Sequence, residues 1–283
     1  MGSKPYNSPL IIDSDDFSKV INKLRAFFLG KGFVEVHTQN RLSILAACED
    51  PFTVSTYTYA NEVWPLPQTG QMWLEYELLK NPEPPGYFCV STSYRNEPNP
   101  VEGRHMLIFP MFEFEMKGGI EDMQKLEGEL LTHMGYDASK FLSGKYLDVA
   151  NEYDVKELEN SHETRLHNEK SSTFFLTHFP EYTSPFWNMK RNEDGLTANK
   201  IDVIMSGQET IGSAEREVDV ETMRKNFDGI MDGAYKAKLF ELFGEERTMA
   251  ELEDFLKFNF IKRSGGGIGV SRLIRSMKME GLM

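Results

Sequence analysis

Three stretches of this chain carry side chains that could do chemistry together. Tyr94-Arg95-Asn96-Glu97 and Arg104-His105 flank a loop rich in turn formers, Pro98, Asn99, Pro100 and Gly103. Two guanidinium forks at the rim of a hairpin suit phosphate oxygens, which they meet bidentately. Near the C-terminus, Ser264-Gly265-Gly266-Gly267-Ile268-Gly269-Val270-Ser271-Arg272 puts four glycines in five residues, stripping one surface of side chains so that a flat or charged ligand can approach backbone. Its spacing is neither that of a P-loop nor that of a dinucleotide fingerprint. Between them, Asp202, Glu209 and Arg216 stand seven residues apart. Strand alternation alone would oppose the first two, but a turn at Gly207 returns the chain and brings the carboxylates together. Two carboxylates beside phosphates are what a hard, oxygen-seeking cation needs. The bland counterpart of each stretch is a solvated loop, an ordinary glycine turn and a charged hairpin edge.

The elements that must position these groups follow from patterning. Asp13 or Ser14 caps a helix whose Phe17, Val20, Ile21, Leu24, Phe27 and Phe28 share a face, ending near Gly30, and a strand follows over 32–38. Residues 1–12 read as an arm. Phe88–Thr92 and Met106–Met116 have strand composition and pair around the charged loop. A helix runs through Gln71-Met72-Trp73-Leu74-Glu75 to about Leu79, and Ile120, Met123, Leu126, Leu130 and Leu131 form the apolar face of another over 120–135. Residues 154–170 read as a charged helix; His162 and His167, five apart, do not share a face and so read as solvated rather than as metal ligands. Strands are expected over 173–178 and 201–205. Two helices lie within 219–243, and a further one starts at Thr248, where Glu251 completes a capping-box pattern. The glycine run then leads into a last helix from Arg272.

Taken together, Tyr94-Arg95-Asn96-Glu97, Arg104-His105 and the Gly-Gly-Gly-Ile-Gly-Val-Ser-Arg run resemble motifs 2 and 3 of the class II aminoacyl-tRNA synthetases, in the subgroup that handles aspartate, asparagine and lysine. The glycine wording is most similar to ammonia-dependent asparagine synthetases, which share that catalytic fold. The resemblance spans roughly residues 20–280. It implies one α+β catalytic domain over 1–283, an antiparallel sheet of about six strands flanked by helices. The N-terminal anticodon-reading barrel of the tRNA enzymes has no counterpart in the sequence. The first helix and strand resemble the dimer-forming motif 1, with Gln39 where the family usually has proline, and so imply a homodimer.

The resemblance also implies roles. Arg95 holds the α-phosphate and the substrate carboxylate, Glu97 reads the adenine amino group, and Phe109 stacks on the ring. Arg104 and His105 reach the β- and γ-phosphates, Arg272 clamps the γ-phosphate, and Gly267 and Gly269 leave room for ATP. Asp202 and Glu209 hold Mg²⁺. Gln71, Glu75, Gln208 and Arg216 select the amino acid. Aspartyl enzymes carry a lysine where Leu74 stands; a pocket glutamate such as Glu75 would repel a carboxylate and accept from an amide. The implied activity is an ATP-dependent ligase that forms AMP and pyrophosphate. The adenylate then passes to ammonia, giving asparagine or another amide; alternatively to tRNA or a protein lysine; or the domain is a non-catalytic binding paralogue. The intact motif arginines and acids weigh against the last.

Composition narrows the partners. The 283 residues are 40% hydrophobic, with a net charge of −13, a poor basis for gripping a polyanion. Cys48 and Cys89 lack metal-like spacing and fit a reducing cytoplasm. No signal peptide or membrane-length apolar run stands out.

Overall fold

The computed structural model describes residues 12–39, 42–45, 49–98, 100, 106–183 and 185–283. The first helix, α1 (Ser14–Gly30), starts where expected: the Asp13 carboxylate accepts from the N–H groups of Asp15 and Asp16, both at 3.0 Å, satisfying donors the first turn leaves over. Its expected face is buried, with Phe17 partly so. The strand after it, β1 (Val34–Glu35), is shorter than the pattern suggests. A small hairpin, β2 (Thr56–Tyr59) and β3 (Glu62–Pro65), precedes α2 (Gln71–Lys80). The hairpin of β4 (Gly86–Tyr94) and β5 (Ile108–Lys117) follows, then α3 (Ile120–Met134). After these come β6 (Phe141–Lys145), α4 (Tyr146–Glu152), α5 (Asn160–Glu169), β7 (Thr173–Pro180), β8 (Thr197–Met205) and β9 (Gln208–Glu215). Helices α6 (Val220–Gly229), α7 (Ala234–Phe243) and α8 (Glu245–Leu256) lead to β10 (Arg263–Gly269) and α9 (Val270–Met279).

Eight strands form one sheet in the order β1-β4-β5-β10-β9-β8-β7-β6. All pairings are antiparallel except the two edges, where β1 and β6 run parallel to their neighbours. The sheet is thus larger than the six strands expected, and the mainly antiparallel α+β architecture stands. Alternation along β8 shows how both faces are covered. Ile201, Val203 and Met205 enter the core beneath α1, α3 and α9, whereas Ile204 joins the cluster of α4, α5 and β7. A further cluster around Trp187, Phe227 and Phe255 ties α6, α7 and α8 to α2.

Two local expectations are corrected. The glycine run is not a turn but β10, a strand at the middle of the sheet with every residue buried. Glycine weakens a strand unless another group must come close, and here one does. A Cβ on Gly265 would lie 1.6 Å from Glu115 Oε2, and one on Gly266 would lie 2.8 Å from Ser213 Cβ. Helix α8 begins at Glu245 rather than Thr248; Thr248 is interior and buried, and Glu251 caps a different segment, accepting from Ser43 and Ile44.

Candidate active site

One cavity opens where the β4–β5 hairpin, the start of α2, the β9 strand and the β10–α9 junction meet. It encloses ≈ 1020 Å³ of atom-free space, its mouth included, and its lining holds Gln71, Arg95, Glu97, Phe109, Glu209, Gly267, Gly269 and Arg272. Three segments far apart in sequence therefore converge. Arg95 follows the last residue of β4, and its N–H donates to the Leu107 carbonyl at 2.8 Å, closing the hairpin mouth. Its guanidinium carbon stands 5.7 Å from the centre of the Phe109 ring. Arg95 Nε is shielded from solvent and has no acceptor, which is rare for a buried donor. Arg272, in the first turn of α9, donates through Nη1 to the Glu209 carbonyl at 2.7 Å and lies 3.8 Å from Glu209 Oε2. Arg104, His105 and Cys48 fall outside the described residues.

The β8–β9 hairpin brings Asp202 and Glu209 together as the turn argument required. Ser206 and Gly207 both have positive φ, 48° and 78°, the backbone of a two-residue hairpin turn whose twist matches its strands. Pairing passes from Ile204↔Glu209 to Val203↔Ile211, so Thr210 is an extra residue. Asp202 consequently pairs with Gly212. A Cβ built on that glycine would stand 3.5 Å from Asp202 Oδ1 and 3.1 Å from Glu209 Oε1. Both carboxylates therefore point over one bare patch of strand. Lys200 Nζ donates to Asp202 Oδ2 at 2.8 Å, while Oδ1 is buried without a partner. Burial raises the Asp202 carboxyl above its ordinary range, with Lys200 opposing the shift. An orphaned buried carboxylate oxygen beside a second carboxylate fits a divalent cation that takes its remaining ligands from phosphate and water. No group of three His, Cys, Asp or Glu among the described residues could hold a metal unaided.

Beneath Gln71 lies a knot of buried charge. Arg216 donates to Glu115 through Nε (3.2 and 3.3 Å) and Nη2 (3.0 Å), and Nη2 also meets Gln71 Oε1 at 2.8 Å. Arg263 grips Glu75 Oε2 through Nε (3.1 Å) and Nη2 (2.7 Å). Asn188 Nδ2 donates to Glu75 Oε1 at 2.7 Å, and Arg216 Nε lies 3.5 Å from the same oxygen. Glu75, Glu115 and Arg263 have no exposed surface, and Arg216 has 1%. Desolvation pushes the Glu115 carboxyl up, against the pull of Arg216.

Of the residues expected to select the amino acid, only Gln71 lines the cavity. Glu75 and Arg216 lie behind it, and Glu75 is not solvent-facing. Gln208 pairs with Met205 beside the turn, and alternation sets it on the face opposite Glu209. Of the glycines, Gly267 and Gly269 reach the cavity, while Gly265 makes room for the Glu115–Arg216 pair.

Some lining residues escaped the sequence reading. Asn160 and Glu163 of α5 form part of the wall, and Glu163 Oε2 accepts from the Glu209 N–H at 3.0 Å. Nothing in that polar helix distinguishes them from a solvated face. Glu113 lies buried near Gln71, accepting from Thr69 Oγ1, Gly70 N (2.8 Å) and Ser91 Oγ; burial raises it. Alternation with Phe112 and Phe114 sets Glu113 on the face opposite the main core, so the strand pattern alone reads it as a polar-face residue.

Solved structures share this architecture. Asparaginyl-tRNA synthetase from Pyrococcus horikoshii, complexed with asparaginyl-adenylate, superposes with a TM-score of 0.76 at 20% identity, over 93% of this chain and 64% of that one. The Entamoeba histolytica asparaginyl-tRNA synthetase, also with asparaginyl-adenylate, gives 0.74 at 19% identity over 94% and 63%. A putative aspartyl-tRNA synthetase from Leishmania major Friedlin gives 0.70 at 16% over 93% and 61%. The chain thus spans less than two thirds of the length of each. A search of curated protein sequences gave no significant match. The family described as tRNA synthetases class II (D, K and N) matches residues 15–280. This chain belongs to that class II tRNA synthetase family.

Proposed function

We propose that the cavity activates an aspartate- or asparagine-like amino acid with ATP, forming an aminoacyl-adenylate and releasing pyrophosphate. The observation that carries this reading is the convergence of Arg95, Phe109, Glu209, Gly267 and Arg272 on one space. In the reaction a carboxylate oxygen attacks the α-phosphorus and the bond to the β-phosphate oxygen breaks. The protein's task is alignment and charge neutralisation. Arg95 holds the α-phosphate against the attacking carboxylate. Phe109 offers its face to adenine, and Glu97 reads the ring's amino group. Arg272, with Arg104 and His105, receives the charge that grows on pyrophosphate. Asp202 and Glu209 would hold Mg²⁺, which neutralises the phosphates when bound. Gln71 contacts the amino acid from the floor of the cavity.

The asparaginyl-adenylate in two structural relatives is in keeping with this reaction. The net charge of −13 favours a small acceptor such as ammonia over a polyanion like tRNA. Exposed Leu29 and Val34, on α1 and β1 at the sheet edge, suit the dimer face the sequence implies. No described helix is long and apolar enough to cross a membrane. Incubation with ATP, Mg²⁺ and the twenty amino acids singly, followed by mass spectrometry of the enzyme, tests the reading. Aminoacyl-adenylate with asparagine, aspartate or a near analogue is expected; ATP left whole with all twenty sinks it.

A further inference from the structure

We propose that the pocket for the amino acid's side chain is built for a neutral carboxamide, and that Glu115 and Arg263 are the residues that make it so. This rests on the adenylation reading above. The four touching charges under Gln71 comprise two cations and two anions, and every one is already matched. Glu115 covers two nitrogens of Arg216, and Arg263 with Asn188 engages both oxygens of Glu75. Both Glu75 oxygens are therefore engaged by groups behind the cavity, and the Arg216 charge is already offset by Glu115. Glu113, which also reaches the Gln71 side chain, adds a further acid and no cation.

The Gln71 side chain shows what this setting accepts. Its Oε1 sits on Arg216 Nη2 at 2.8 Å, and a Cβ on Gly267 would stand 3.2 Å from its Nε2. A carboxamide thus already bridges the floor of the cavity and the buried knot. A substrate carboxamide can take that oxygen's place on Arg216 as one neutral acceptor for another. A carboxylate would bring an uncompensated charge against residues almost wholly shielded from solvent, which is costly. Aspartate carries such a carboxylate whichever end is activated, so amidation of aspartate is disfavoured with it. Gly265 belongs to the same device, since any side chain there would displace Glu115 from Arg216.

The test compares asparagine with aspartate in ATP–pyrophosphate exchange, for the intact chain and for Glu115→Gln. Asparagine should exceed aspartate by about tenfold or more in kcat/KM. Glu115→Gln frees the Arg216 charge, so the ratio should fall by about tenfold or more, mainly through a gain for aspartate. A purely structural role for Glu115 would lower both rates alike and leave the ratio where it was; that result removes the assignment. Aspartate favoured by the intact chain overturns the proposal while leaving adenylation standing. Absence of exchange with every amino acid brings down adenylation and the proposal with it. If Glu115→Gln does not fold, as circular dichroism would reveal, the ratio in the intact chain decides.

Discussion

Glu127 of α3 offers a perturbation whose size can be worked out. Its carboxyl has no exposed surface and neither oxygen has a hydrogen-bond partner; the nearby Ser213 hydroxyl tempers the shift but donates to the Ile201 carbonyl at 3.4 Å. Around it are the apolar residues α3 sends into the core, Met123, Leu126 and Leu130 among them. Burial lifts its pKa from 4.5 to about 8. Each tenfold change in proton affinity is worth about 1.4 kcal/mol, so the ionised form costs the folded state roughly 5 kcal/mol. The sign follows from proton counting. Between 4.5 and about 8 the folded chain keeps this proton and the unfolded chain has lost it, so stability falls as pH rises through that window. Glu127→Gln removes the titration. Urea unfolding of both proteins at pH 5, 6, 7 and 8 should give free energies that diverge, the variant gaining about 1 kcal/mol or slightly more per pH unit. Curves that stay parallel would refute the assignment of a neutral buried acid. Alternation sets Ser213 on the face opposite Gly212, a glycine that lines the cavity. The Asp202 charge also acts on Glu127, but replacing a neutral acid by a neutral amide leaves the field at Asp202 as it was, so adenylate formation per folded molecule should be unchanged.

Other outcomes follow from the same geometry. Arg95→Ala removes charge-assisted bonds worth about 1.5–3 kcal/mol each, so kcat/KM for ATP should drop at least about tenfold. Arg272→Ala should abolish adenylate formation while thermal unfolding stays close to that of the parent, since its side chain is only partly buried. Asp202→Asn keeps the shape but not the charge of a proposed cation ligand; calorimetric titration with Mn²⁺ should show affinity weakened by about tenfold or more. Gly265→Ala sets a Cβ 1.6 Å from Glu115 Oε2 and should cost about 1–3 kcal/mol of stability, read by denaturant midpoint.

Much of this arrangement was legible in the residues, for identifiable reasons. Helix α1 was bounded by an Asp13 cap and a single apolar face, both local signals. The β4–β5 hairpin and the Asp202–Glu209 convergence also rest on short-range chemistry, a turn between alternating strands. What stayed hidden depended on distant partners. The glycine run lacks every local mark of a strand, and becomes one because β5 and β9 flank it and Glu115 needs the space over Gly265. Arg263, beside that run, carries no local mark of its role, yet it lies fully buried against Glu75, 188 positions away. Glu75 itself was expected to touch substrate, because α2 alone could not disclose that Arg263 and Asn188 occupy it. The β6 and α4 elements went unseen for a related reason: β6 is a short edge strand, mostly exposed, without clear alternation.

The central question is whether distant segments of the chain form one working adenylation site. Exchange of labelled pyrophosphate into ATP, followed with and without each amino acid, tests this most directly. Exchange that needs asparagine or aspartate, and disappears in Arg272→Ala, is the predicted result. Exchange that proceeds with no amino acid present, or fails with all of them, would contradict it.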